Sequence, residues 1–154
     1  MKINYGGRWT NTNTSTNLNS NNTLAPIFGS QDYLDDGNNL YEVSGSTSLT
    51  VKESGRYDIR ANLSLEGINV GGNSEQRTNV NARIYVNGSA VGAIAASGFI
   101  RWANGHDHSS IHVNEILQLN ANDVVTVRTF EEANSGEVRF SGSGESSFMI
   151  NKLR

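Results

Sequence analysis

The side chains of this chain best suited to chemistry are three histidines and the aspartate between two of them: His106, Asp107, His108 and His112. Imidazole nitrogens and carboxylate oxygens ligate zinc, and imidazole is the side chain that changes charge near neutral pH. In an extended segment His106 and His108 project to the same side, with Asp107 serving from a loop. Asn104-Gly105 just before them reads as a turn, and polar loop residues are expected there. The cluster is therefore read first as an exposed loop, with His106, His108 and His112 as candidate ligands of a metal ion. Trp102 adjoins the same loop, so Trp102, Asn104, His106, Asp107 and His108 make the candidate ligand-binding set.

Other groupings are poorer in chemistry. Residues 32–39 supply oxygen ligands for calcium, but they lack the spacing and terminal glutamate of an EF-hand loop and read better as a solvated turn. Adjacent Glu131 and Glu132 would point to opposite faces of a strand, which does not make a carboxylate pair. No Gly-x-Ser-x-Gly elbow precedes a helix; Ser141, Gly142, Ser143 and Gly144 need only be a loop. Asn62-Leu63-Ser64 and Asn87-Gly88-Ser89 match the glycosylation acceptor pattern, which chance supplies readily in so asparagine-rich a chain. Tyr85, Phe99 and Trp102 could stack on sugar rings; for Tyr85 and Phe99 a place in the core or at a subunit contact is preferred.

Composition sets the kind of scaffold that must hold these residues. Hydrophobic residues make up 36% of the chain and charged residues 18%, with one proline and no cysteine. Glycine, serine, threonine and asparagine are abundant, a balance that suits strands with one face in water. Without cysteine there is neither a disulfide framework nor a thiolate metal site. The formal net charge of −3 comes without a basic block, so a footprint for nucleic-acid phosphates is missing. No apolar run reaches the roughly 18 residues needed to span a membrane. Met1-Lys2-Ile3-Asn4-Tyr5-Gly6 has no apolar stretch, so no secretory signal is expected.

The chain divides into residues 1–31 and 32–154. Residues 1–31 are expected to form a polar arm, or a first strand plus loop, and within them the run of asparagine, threonine and serine from Thr10 to Thr23 is expected to be a loop or an arm ordered only by contacts. Trp9 and the segment Leu24-Ala25-Pro26-Ile27-Phe28 would anchor its two ends. Removing residues 1–30 is accordingly expected to leave the remainder folded. In the second part, short alternating runs recur roughly every 8–14 residues between turn signals, as in sandwiches and barrels.

Residues 55–66 place Tyr57, Ile59, Ala61, Leu63 and Leu65 on one face of a strand; residues 80–86 do the same with Val80, Ala82, Ile84 and Val86. Asn87-Gly88 predicts a hairpin turn. Residues 90–101, rich in alanine and glycine, predict the returning strand, and residues 110–119 predict another with a bulge near Glu115, where the apolar phase shifts. Further strands are predicted over 124–130, 137–140 and 146–153. The fold class is all-β, a two-sheet jelly-roll sandwich; an immunoglobulin-like sandwich ranks below it because the core cysteines are missing.

Four stretches, standing in order, resemble C1q/TNF-like domains. Gly55-Arg56-Tyr57 resembles the glycine–aromatic start of a central strand, and Ala82-Arg83-Ile84-Tyr85-Val86-Asn87-Gly88 resembles the family's hairpin. Leu117-Gln118-Leu119-Asn120-Ala121-Asn122-Asp123-Val124-Val125 is similar to its turn and following strand, and Ser146-Ser147-Phe148-Met149-Ile150-Asn151-Lys152-Leu153 to its closing strand. Asn122 and Asn151 stand where the family usually has glycine.

The resemblance implies a homotrimer of jelly rolls packed about a threefold axis, binding a partner without catalysing a reaction. About such an axis, histidines of three subunits could also meet a metal ion. With no Gly-X-Y stalk, no cysteine and no anchor in the sequence, the expected setting is a virion surface: a bacteriophage or other viral fibre knob or decoration protein. Its expected partners are other copies of itself, virion proteins reached through the N-terminal arm, and a glycan or protein on a host-cell surface, with neither nucleic acid nor membrane insertion. The alternatives are a bacterial surface or spore-filament tip of the same fold and, further off, a carbohydrate-active jelly-roll enzyme.

Overall fold

A computed structural model describes residues 5–35, 39–69, 77–101, 105–132 and 136–154. They form two antiparallel sheets. Sheet A has six strands, in the order β12 (His108–Leu119), β6 (Gly55–Ile68), β15 (Ser147–Lys152), β1 (Tyr5–Thr10) and β3 (Ser30–Leu34), with β14 (Glu137–Phe140) pairing the far end of β6. Sheet B has seven: β10 (Ala95–Ala96), β8 (Val80–Val86), β13 (Val124–Glu131), β5 (Ser48–Val51) and β4 (Tyr41–Ser44), with β2 (Thr23–Leu24) on β13 and β9 (Ser89–Ala90) on β8. β7 (Arg77–Thr78) and β11 (Ile100–Arg101) pair separately. This is the jelly-roll sandwich.

The alternating strands explain how the sheets meet. Tyr57, Ile59, Ala61, Leu63 and Leu65 of β6 are buried and face Val80, Ala82, Ile84 and Val86 of β8 and Val125 and Val127 of β13, also buried. At one end of the core the Phe28 and Phe148 ring centroids stand 4.7 Å apart, and Trp9 meets Phe28 edge-on at 5.8 Å. Asn87 (φ 52°) and Gly88 (φ 79°) both take the left-handed conformation that the predicted two-residue hairpin requires. Asn122 (φ 72°) adopts it too, where the resembled family usually has glycine.

Two expectations change. Residues 90–101 do not form one returning strand: β9, β10 and β11 are three short pieces. No bulge occurs near Glu115, because β12 pairs with β6 in one unbroken register from His108↔Glu66 to Leu119↔Gly55. The apparent phase shift arises because Glu115 takes an inward position and accepts a hydrogen bond from Ala93 N at 2.6 Å, while Ile116 is left on the outer face. The irregularity lies instead between Arg8 and Trp9, where β1 slips against β3.

Residues 11–22 contain no strand, yet they are held throughout. Asn11 is buried; its side-chain amide donates to the carbonyls of Asn13 and Gly142, and its Oδ1 accepts from Ser146 N at 2.9 Å. Asn17 Oδ1 accepts from Val138 N at 3.1 Å, and Leu18 is fully buried. Amide side chains here supply the backbone partners that a strand neighbour would otherwise supply.

Tyr57 gives the fold a titratable core group. Its Oη donates to the Glu53 carbonyl at 2.7 Å. Burial, with a smaller contribution from the Glu53 charge, pushes the phenol from 10.0 up to about 12. A raised folded pKa contributes stability that is complete below the unfolded value and is lost as pH rises through the folded one. Two pH units correspond to roughly 2–3 kcal/mol. Denaturant midpoints should therefore fall between pH 10 and 12, and Tyr57→Phe should flatten the profile across that interval.

Candidate recognition surface on the outer face of sheet A

The register of sheet A lays its outward side chains in rows. One row runs His112, Asn62, Ser147, Thr10; the next runs Asn114, Arg60, Met149, Arg8, Tyr33; a third runs Ile116, Asp58, Asn151, Gly6. In the first row His112 Nδ1 donates to Asn62 Oδ1 at 2.6 Å, and the Asn62 amide reaches Ser147 Oγ at 3.4 Å. Arg60 pairs with Asp58 at 3.1 Å, and the hydrogen bond and charge of Asp58 raise the Arg60 pKa. Arg8 pairs with Asp32 at 2.9 Å.

The face is flat and mostly polar, with a shallow depression of about 280 Å³ between Gly6, Tyr33, Asp58, Arg60 and Met149. Its apolar elements are Ile116, 60% exposed, Tyr33, 43% exposed, and the half-buried Met149. Such a surface suits contact with another flat protein surface better than capture of a small substrate, which favours an enclosed apolar cavity. In the sequence Ile116 follows Ile111 and Val113 and imitates their inward face after a one-residue slip, which masks its outward position.

The histidines fall at one end of this face. β12 begins at His108, so His106 lies in the preceding loop, where its carbonyl accepts from Arg101 N at 2.7 Å. His108 Nδ1 donates to Asp107 Oδ1 at 3.1 Å, and its Nε2 lies 4.0 Å from Glu66 Oε1. His112 shares the outer face with His108, but four residues along a strand span about 13 Å. Among the described residues of one chain, no group of three or more histidine, aspartate or glutamate side chains stands close enough to hold a metal ion. Trp102 and Asn104 lie outside the described residues.

The remaining candidates are engaged elsewhere. In the stretch read as a calcium turn, Asp32 holds Arg8 and Asp35 Oδ2 accepts from Gly6 N at 3.1 Å. Residues 30–34 there form β3 rather than a turn. Ser141 donates to Glu145 Oε2 at 2.6 Å and lies 2.7 Å from Ser64 Oγ, so its hydroxyl is held by a carboxylate and a second hydroxyl. Phe99 is 52% exposed, and Tyr85 lies half-buried on the outer face of sheet B. No described helix is long and apolar enough to cross a membrane.

No family model matches the sequence, and no curated protein does. Solved structures do. Eiger TNF from S. frugiperda is similar with a TM-score of 0.68 at 14% identity, over 99% of this chain and 94% of that one. Murine APRIL is similar with a TM-score of 0.61 at 14% identity over 97% and 99% of the two chains, and rabbit GITRL with 0.54 at 11% over 97% and 93%. At such identities the likeness is one of fold, and this chain has the TNF-like jelly roll from end to end.

Proposed function

We propose that the chain is a non-enzymatic, homotrimeric recognition head, displayed on the surface of a virion as a fibre knob or decoration protein and adhering to a host-cell surface. The observation that carries this reading is the TNF-like jelly roll over the whole chain, with the broad outer face of sheet A free to meet a second copy. Ile116, Tyr33 and Met149 would give that contact its apolar portion, and the amide and hydroxyl rows its hydrogen bonds. Three copies on one rigid head raise avidity without a tight single site. Within the asparagine-rich run, the exposed residues Thr12, Thr14, Ser15, Ser20, Asn21 and Asn22 would reach other virion proteins.

Light scattering on the purified chain at low and high concentration, with and without chelator, tests the assembly. The expected mass is three chains at both concentrations, falling to one in Ile116→Asp, where a carboxylate would be buried unpaired. A concentration-independent monomer of the parent chain removes the trimeric head. Loss of the trimer in chelator would assign His106, His108 and His112 to a metal shared between subunits.

A further inference from the structure

On the opposite side of the molecule, the outer face of sheet B places two arginines directly across from each other. β8 and β13 pair with Arg83 against Arg128, flanked by Tyr85↔Thr126 and Asn81↔Phe130. Like charges directly opposite on a sheet repel. Among the described residues neither guanidinium has a carboxylate partner. Arg83 Nε donates to the Gly92 carbonyl, Arg128 Nη1 donates to Asn22 Oδ1 at 2.9 Å, and Arg128 Nε is buried without a hydrogen-bond partner. In a chain of net charge −3, this is a concentrated and unneutralised positive site.

Aromatic rings surround it. The Arg128 guanidinium lies 4.8 Å from the Tyr85 ring centroid, and the Phe130 ring lies 6.0 Å from Tyr85 at an interplanar angle of 31°. Asn81, Arg83, Tyr85, Phe130 and Ile94, which is 64% exposed, line a depression of about 160 Å³. Planar rings offer a surface for the C–H face of a sugar, a planar amide offers a donor and an acceptor for hydroxyls, and paired guanidiniums match a carboxylate with bidentate hydrogen bonds.

We propose that this patch binds an acidic saccharide, its carboxylate on Arg83 and Arg128 and its ring on Tyr85 and Phe130. The patch lies on sheet B and is complete within one chain, so it stands or falls separately from the trimer.

Calorimetric titration with oligogalacturonate and with sialyllactose, each beside its neutral methyl ester, tests the proposal. At least one acid should bind at least ten-fold more tightly than its ester. Arg83→Gln and Arg128→Gln should each weaken it ten-fold or more, and Phe130→Ala several-fold. Each Gln variant relieves a like-charge contact while losing the hydrogen bonds of that arginine, so each should still melt cooperatively within a few degrees of the parent, which separates lost binding from lost folding. Absence of binding by both acids, equal binding of acid and ester, or unchanged binding in the arginine variants would overturn the proposal. Equally tight binding of an oligoglutamate peptide would also overturn it, leaving a charge-driven peptide surface.

Discussion

A chain lacking residues 1–30 should show no cooperative thermal transition and no ordered aromatic signal in near-ultraviolet circular dichroism. β1 lies between β15 and β3 in sheet A, hydrogen-bonded on both sides, so the deletion opens the sheet along β15. It also removes Trp9, Leu18, Ala25, Ile27 and Phe28 from the core. At about 1.5–3 kcal/mol for each large apolar side chain fully buried, the loss rivals the roughly 5–15 kcal/mol by which a whole domain is stable. The polar composition of residues 10–23 suggests a dispensable arm; the strand before it and the anchors after it make the segment part of the sandwich. A truncated chain that melts cooperatively near the parent temperature would contradict this account.

Phe148→Ala should be the most damaging single substitution at the seam of the two sheets. Phe148 is fully buried, 4.7 Å from Phe28 and 6.5 Å from Trp9 between ring centroids. Removing a buried phenylalanine costs about 3–5 kcal/mol, part transfer and part cavity. Phe148→Leu should recover much of that loss, because the volume is largely kept. Urea denaturation should show the alanine midpoint well below the leucine midpoint at similar slope; equal midpoints would mean that the neighbouring rings collapse into the space.

Legibility in the sequence followed the chemistry of each strand. β6 and β8 alternate strictly between apolar and polar residues, so both strand and buried face could be read from residues 55–66 and 80–86. For β1 a first strand was only one of two options, with neither bounds nor buried face: Gly6 and Gly7 are buried without any apolar side chain to announce it, and the Cβ a residue would add at Gly7 meets the Trp9 ring at 2.5 Å. Residues 90–101 look like one strand because small residues carry little directional signal, whereas the chain there is tied down by Glu115 and by the β10 and β11 pairings. The outer face of sheet A was legible residue by residue as the polar half of β6, but its rows exist only once β12, β15, β1 and β3 fall into register. The Arg83–Arg128 opposition likewise depends on a pairing between residues 45 positions apart, which no local pattern announces.

The place of β1 in sheet A also orders events during synthesis. Its partner β15 is made after all the other described strands, so Tyr5–Thr10 leaves the ribosome long before the edge it must join, and Trp9 waits without Phe148 to pack on. Sheet B, whose main strands lie between residues 41 and 131, can form first and serve as a template. Closure of sheet A is then a late, non-local step, the kind that slows folding because distant segments must meet before contacts reward them. Until it occurs, the side of β15 that β1 covers is an unpaired edge, open to β1 of a neighbouring nascent copy. Crowded polysomes would therefore favour exchange of β1 between chains, and the soluble yield of this protein should depend on how fast it is translated.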